Sequence, residues 1–115
     1  MIIGIPKEIM HGEGRVSAIP ETVALLKAEG FDVLVENTAG EGALFADSEY
    51  AAAGATMIAD AEELYAKADI ILKVKEPQFN EAKGKHEVDM IQHSIHGFQG
   101  GTVFILQRIV AYGLE

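Results

Sequence analysis

The chain has 115 residues, a formal net charge of −9 and no cysteine. This length predicts one domain and excludes a complete dinucleotide-binding fold joined to a substrate domain, which needs roughly twice one domain length. Eighteen acidic against nine basic residues argue against nucleic acid and anionic membrane surfaces as partners, and the lack of cysteine excludes disulfides, a thiolate nucleophile and cysteine-ligated zinc.

The first two thirds of the chain alternate short apolar runs with helical patterns. Pro6 stops the first apolar run, Pro20 suits the first turn of a helix, and Gly30 suits the position just after one. The predicted elements, in chain order, are a strand over 2–5, a loop over 7–19, a helix over 20–28, a strand over 31–36, a turn over 40–42, a helix over 47–53, a strand over 55–58, a helix opened by Asp60 and running to 68, and a strand over 70–74.

The last third is less regular. A polar stretch over 80–89 is typical of a helix, and we further predict a strand over 90–96, a helix over 102–107 and a strand over 109–112. Strands alternate with helices long enough to serve as crossovers, a pattern typical of α/β proteins. We therefore expect a single α/β domain over 1–115, with a Rossmann-like (flavodoxin-like), three-layer, open and mostly parallel sheet.

No targeting or membrane segment is predicted. The N-terminal residues lack the basic start and long apolar run of a signal peptide. No apolar stretch approaches the roughly 18 consecutive residues of a membrane span. We accordingly expect a cytoplasmic chain with no membrane partner.

Three side chains fall where ligands bind in parallel sheets, outside the carboxyl ends of the strands. Arg15 lies in the loop after the first strand, Lys75 directly follows the strand over 70–74, and His96 ends the segment over 90–96. An arginine grips a carboxylate with two hydrogen bonds, a lysine polarises a carbonyl, and a histidine exchanges protons near neutral pH. Together they suit a small 2-oxo or 2-amino acid.

Each of these residues also has a purely structural interpretation. Arg15 is then a solvated loop charge, Lys75 pairs with Glu76 or extends from the strand end into solvent, and His96 is a structural histidine beside a glycine turn. From residue types alone, the structural interpretation is favoured over a joint site.

Two other patterns are weaker. His86, His93 and His96 suggest a metal site, but Gly97 and the glycines after it disfavour the helix that would bring two of these histidines together, so we predict no metal. The glycine-rich stretch over 97–101 lacks both the G-x-G-x-x-G pattern and the Walker lysine, and is interpreted as a turn.

Several motifs resemble the N-terminal domain of the alanine dehydrogenase and nicotinamide nucleotide transhydrogenase family. The resemblance is nearly gap-free over residues 1–77, and the pairing of an opening G-I-P-K-E…R-V with a later K-V-K-E-P is specific. The motifs are Gly4-Ile5-Pro6-Lys7-Glu8, Glu13-x-Arg15-Val16, Pro20, Val33-Leu34-Val35-Glu36, Ala39-Gly40-Glu41-Gly42, Ala52-Ala53-Gly54-Ala55 and Ala68-Asp69-Ile70-Ile71-Leu72-Lys73-Val74-Lys75-Glu76-Pro77.

The resemblance implies roles for the three candidate residues. In alanine dehydrogenases the arginine of the R-V motif binds the substrate carboxylate, here Arg15. The second lysine of K-V-K-E-P, here Lys75, contacts the carboxylate and carbonyl end of the substrate. A histidine about twenty residues later is the acid/base, and His96 lies 21 residues after Lys75. An alternative frame places Gln107 where this histidine belongs.

The family continues into a Rossmann domain with G-x-G-x-x-G, a nicotinamide site and an aspartate that takes part in the reaction, none of which occurs in this sequence. The resemblance therefore implies the substrate-binding N-terminal part of an NAD-dependent alanine dehydrogenase-like oxidoreductase, with NAD bound only in the full-length enzyme and no hydride transfer by this chain alone. The transhydrogenase branch typically lacks both this lysine and this histidine, so their presence favours the dehydrogenase.

Two alternatives remain. The chain is an independent module that binds a small carboxylate or docks onto a Rossmann-domain partner, or it is the N-terminal domain of a transhydrogenase α-subunit, which associates with a membrane partner. A homo-oligomer is compatible with each of these hypotheses.

Overall fold

The fold is that of a computed structural model, which describes residues 1–90. Short strands and helices alternate along this part of the chain. The strands are β1 (Ile2–Ile5), β2 (Asp32–Glu36), β3 (Thr56–Ile58), β4 (Ile70–Ile71), β5 (Phe79–Asn80) and β6 (Lys85–His86); the helices are α1 (Pro20–Ala28), α2 (Asp47–Ala52), α3 (Ala61–Lys67) and α4 (Glu87–Met90), with a 3₁₀ turn at Glu41–Ala43.

The first four strands form one sheet in the order β3-β2-β1-β4, and every pair is parallel. Ile3 lies beside Val33 and Ile5 beside Val35, so alternate residues of β1 and β2 face the same side of the sheet. The chain moves outward from β1 to β3 and then returns to place β4 on the other side of β1. This reversal creates a topological switch point between β1 and β4, the usual place for a ligand crevice in an open α/β sheet.

Helices cover both faces of this sheet. On one face, Ile3, Ile5 and Val33 pack with Val23 of α1 and Tyr50 of α2. On the other face, residues of the sheet form a second cluster with α3 and α4, whose members are Leu34, Ile58, Ala61, Leu64, Tyr65, Ala68, Ile71 and Met90. The predicted three-layer, mostly parallel α/β fold is therefore confirmed.

The close approach of α3 to the sheet depends on Gly4. A Cβ atom at this position would lie 2.7 Å from the Ala68 Cβ and 3.0 Å from a Leu64 methyl group. Only a residue without a side chain lets the helix settle onto β1 at this distance.

The predicted strand over 70–74 is shorter than expected, because its ladder ends after Ile71. The Leu72 amide still donates to the Gly4 carbonyl at 3.0 Å. The next bond would need an amide hydrogen on Pro6, which proline lacks. The Ser17 hydroxyl donates to the Leu72 carbonyl at 2.7 Å instead.

The predicted helical stretch over 80–89 is wrong. Its residues form a small antiparallel hairpin, β5 and β6, and then the single turn of α4. Gly84 has a positive φ of 68°, and the Asn80 carbonyl accepts hydrogen bonds from the amides of Lys83 and Gly84. The polar composition therefore reflects a turn, whose backbone is bonded by its own asparagine.

Met90 ends α4, and the rest of the predicted strand over 90–96, the helix over 102–107 and the strand over 109–112 lie outside the described residues. Within residues 1–90, no helix is long and apolar enough to cross a bilayer.

Candidate functional site

A cleft of about 250 Å³ opens at the carboxyl ends of β1 and β2, next to the switch point. Its walls come from the loop after β1 and from the segment between β2 and α2. The lining residues are Lys7, Glu8, Glu13, Gly14, Arg15, Thr38, Ala39, Glu41 and Gly42. The cleft is thus built of charged side chains and exposed backbone, which suits a small polar ligand.

Arg15 lies in the wall of the cleft and is paired with Glu13. Its Nε and Nη2 atoms donate to the two carboxylate oxygens of Glu13 at 2.9 and 3.0 Å, and its amide donates to the same carboxylate at 2.8 Å. Such a two-point contact is the geometry in which a guanidinium recognises a carboxylate. The hydrogen bond from the Arg15 side chain lowers the pKa of Glu13, and the positive charges of Arg15 and Lys75 act in the same direction.

The residues after Arg15 anchor it to the core. Val16 and Ala18 are fully buried. The Ser17 hydroxyl bonds to Leu72 beside β4, and the Tyr50 hydroxyl donates to the Ala18 carbonyl at 2.7 Å. A loop that would otherwise be mobile is therefore held from two sides, so Arg15 projects from a fixed backbone.

Gly42 brings the two walls of the cleft together. A Cβ atom on Gly42 would lie 2.6 Å from the Gly14 carbonyl oxygen and 2.8 Å from its Cα. Because both obstacles are backbone atoms, no side-chain rotation relieves the clash. The glycine of the Ala39-Gly40-Glu41-Gly42 motif is therefore required by close backbone packing beside Arg15.

Lys75 is half-buried in the segment that follows β4. Its amide donates to Glu8 Oε1 at 3.2 Å, and the amide of Val74 donates to Glu8 Oε2 at 2.8 Å. Lys75 is not a lining residue of the cleft, but its charge acts on Glu13 in the cleft wall. Lys75 and Arg15 thus meet electrostatically at Glu13.

A buried charge cluster lies beneath this site. The Lys73 ammonium donates to Glu8 Oε1 at 3.1 Å and lies 3.6 Å from Glu87 Oε1, and all three side chains are at most 2% exposed. Two carboxylates share one ammonium, so further donors are needed to satisfy the carboxylate oxygens. We call Glu8, Lys73 and Glu87 the buried triad.

Glu87 obtains its remaining donors from two neighbours. The Tyr65 hydroxyl donates to Oε2 at 3.1 Å, and the Gln78 amide donates to Oε1 at 2.8 Å. Burial raises the pKa of Tyr65, with the Glu87 charge acting in the same direction, so this hydroxyl stays protonated and remains a donor. No buried side-chain polar atom lacks a partner in the part of the chain that the structure describes.

The structure places Arg15 and Lys75 at one edge of the sheet, whereas His96 lies outside the described residues. The structural interpretation that paired Lys75 with Glu76 is not supported by any ion pair between them within residues 1–90. Over the same residues, no three His, Asp or Glu side chains are grouped so as to hold a metal ion.

The sequence pattern assigned no role to Glu8, Glu13 or Lys73. Lys73 did carry a signal, because it interrupts an otherwise apolar run over 70–74. A lysine in a buried strand needs a buried acid as its partner. The pattern does not indicate which acid that is.

A family model described as "Alanine dehydrogenase/PNT, N-terminal domain" matches residues 4–111. An alanine dehydrogenase of Halomonas elongata is 48% identical over 81 residues, which are 70% of this chain and 22% of that protein. An NAD(P) transhydrogenase alpha subunit of Rhodospirillum rubrum is 44% identical over 92 residues, which are 80% of this chain and 24% of that protein.

Two solved structures share the fold. One is titled L-alanine dehydrogenase, with a TM-score of 0.75 and 35% identity, covering 94% of this chain and 26% of that one. The other is a transhydrogenase from Sinorhizobium meliloti, with a TM-score of 0.71 and 36% identity, covering 93% of this chain and 28% of that one. The chain spans about a quarter or less of the length of the curated relatives it matches.

Proposed function

The chain belongs to the alanine dehydrogenase/PNT N-terminal domain family, and we propose that it is the substrate-binding N-terminal part of an amino-acid dehydrogenase of the alanine dehydrogenase type. The observation that carries the proposal is the cleft at the carboxyl ends of β1 and β2, with Arg15 in its wall and Lys75 close enough to share its electrostatic field. Residues 1–115 then form one N-terminal segment of such an enzyme.

In this proposal the ligand is a small amino acid or its 2-oxo acid. The guanidinium of Arg15 binds the carboxylate, because its planar fork matches two oxygens at once. The ammonium of Lys75 contacts the carboxylate and carbonyl end and withdraws electron density from the carbonyl. Two fixed cations on an anionic substrate supply orientation, which accounts for a large part of the rate in such reactions.

His96 is proposed as the group that moves the proton. An imidazole near neutral pH accepts a proton from an attacking water or a hydroxyl group and returns it in the reverse direction. The role rests on the family resemblance and on the 21-residue spacing from Lys75.

NAD supplies hydride chemistry in the complete enzyme that we propose, and residues 1–90 do not fit this cofactor. A dinucleotide fold joins its first strand to its first helix by a tight glycine-rich turn that cradles the pyrophosphate. Here β1 and α1 are joined by residues 6–19, which carry Arg15 and Glu13, and G-x-G-x-x-G does not occur. We therefore assign to this chain substrate binding and proton handling alone.

Pyruvate titration of the 115-residue chain in a calorimeter tests the proposal. Arg15→Lys keeps the charge beside Glu13 but loses the two-point fork, so we expect the dissociation constant to rise on the order of tenfold. Lys67→Met is the matched control, because Lys67 is exposed on α3 and pairs only with Glu63 in its own helix among the described contacts. Unchanged affinity in Arg15→Lys would refute the proposal, as would robust NAD-dependent alanine oxidation by the chain alone.

A second candidate is the N-terminal domain of a transhydrogenase α-subunit. It is favoured by one observation: the match to the Rhodospirillum rubrum subunit extends over 92 residues, against 81 for the Halomonas elongata enzyme. Lys75→Met distinguishes the two. A dehydrogenase substrate site loses pyruvate affinity in this variant, whereas pyruvate affinity that does not depend on Lys75 supports the transhydrogenase type.

A further inference from the structure

Glu8 lies three residues beyond β1, at the switch point between β1 and β4. It lines the cleft, and yet its side chain is almost fully buried. Its two oxygens accept three hydrogen bonds, all from the segment that carries Lys75: from the Lys73 ammonium, the Val74 amide and the Lys75 amide.

These bonds take the place of the sheet ladder. In a continued parallel ladder, Pro6 would donate its amide to the Leu72 carbonyl and would accept from the Val74 amide. Proline has no amide hydrogen, and the Ser17 hydroxyl serves the Leu72 carbonyl. The Glu8 carboxylate takes the Val74 amide at 2.8 Å and extends to Lys75. One side chain thus holds the backbone where β4 has ended.

We propose that Glu8 is a positioning residue for Lys75, and that it acts by fixing the Lys75 backbone at the mouth of the cleft. The inference rests on the proposed function, in which Lys75 contacts the substrate. A lysine side chain loses considerable rotamer freedom when it is ordered, and a mobile backbone would add to that loss. A backbone held by a buried carboxylate removes this second contribution before the substrate arrives.

Lys73 explains how a carboxylate is kept in this position. Without a neighbouring cation, a buried Glu8 would be costly to keep ionised. Lys73 provides that charge from the same segment, so Glu8 stays an acceptor for both amides. Glu87 shares the same ammonium from the other side but bonds to Gln78 rather than to Val74 or Lys75.

This arrangement offers a matched pair of variants, Glu8→Gln and Glu87→Gln. Both remove one negative charge beside Lys73 and keep the size of the side chain. Only Glu8→Gln presents an amide group to the Val74 and Lys75 amides, where a donor cannot replace an acceptor. In pyruvate titrations of the 115-residue chain, we expect Glu8→Gln to raise the dissociation constant on the order of tenfold and Glu87→Gln to change it less than about twofold.

A double-substitution cycle with Lys75→Met separates positioning from general damage. If Glu8 acts through Lys75, Glu8→Gln has no further effect on pyruvate affinity once Lys75 is Met. Additive effects of the two substitutions overturn the proposal, and so do equal losses in Glu8→Gln and Glu87→Gln. If Lys75→Met alone leaves pyruvate affinity unchanged, the proposed function fails first, which is a distinct result.

Amide hydrogen exchange of the unsubstituted chain gives a test that needs no variant to fold. The proposal expects the Val74 and Lys75 amides to be protected to the same degree as the Leu72 amide, which belongs to the β1–β4 ladder. Exchange at Val74 and Lys75 that is faster by about a hundredfold or more would show an unheld segment and would overturn the proposal.

Discussion

Substitution of Lys73 by Met tests the energetics of the buried triad. Met keeps the length of the lysine stem and removes the ammonium, which lies 3.1 Å from Glu8 and 3.6 Å from Glu87. Two carboxylates, each 2% exposed, then remain without a counter-charge. Removing one partner of a buried ion pair costs about 3–5 kcal/mol, because the charge left behind has lost both water and partner.

That cost is a large share of the total for a chain of this size, since small domains unfold at about 5–15 kcal/mol. We therefore expect Lys73→Met to lower the urea midpoint strongly, as measured by far-ultraviolet circular dichroism with an unchanged m-value. The triple variant Glu8→Gln, Lys73→Met, Glu87→Gln is the control. It removes all three charges, so we expect it to recover more than half of the loss.

Two results would refute this reasoning. A loss of about 1 kcal/mol or less in Lys73→Met would mean that the two carboxylates do not depend on Lys73. A triple variant no more stable than Lys73→Met would mean that the loss comes from packing of the lysine stem rather than from uncompensated charge.

Two further predictions concern the cleft and its rim. Gly42→Ala pushes a Cβ atom into the Gly14 backbone, so we expect a loss of about 1–3 kcal/mol in thermal unfolding together with weaker pyruvate binding; a neutral result would mean that the loops separate freely. Burial raises the pKa of Glu36, whose Oε1 accepts from the Lys7 amide. A raised folded-state pKa means stability that is lost as pH rises through it, so Glu36→Gln should be more stable than the unsubstituted chain at neutral pH, by a margin that disappears in acid urea titrations; a constant margin would exclude titration of Glu36 as the cause.

Local patterns predicted most of the helices and strands up to residue 71. Proline and glycine mark the ends of these elements, as at Pro20 and Gly30, and apolar runs such as the one over 2–5 are consistent with strands buried on both faces. The predictions failed where a hydrogen-bond partner decided the outcome. Asn80 and Gly84 form a turn in a stretch whose composition is equally typical of a helix.

The candidate site divides along the same line. Arg15 and Lys75 were singled out from the expectation that the carboxyl ends of parallel strands meet, and they remain predictions as substrate ligands, with His96 beyond the described residues. Glu13 was visible only as a member of a motif. Its two-point contact with Arg15 depends on side-chain direction, which spacing does not specify.

By itself the sequence determined the α/β class, the family and the edge of the sheet at which ligands bind, because each follows from neighbours along the chain or from short motifs. Only the tertiary structure decided that Glu8 meets Lys73, Val74 and Lys75, which are 65 to 67 positions away. Buried charges are placed by which strands become neighbours, and strand order is a property of the assembled sheet. The lysine inside the apolar run over 70–74 indicated that an acid was needed, and the fold brought Glu8 and Glu87 to it.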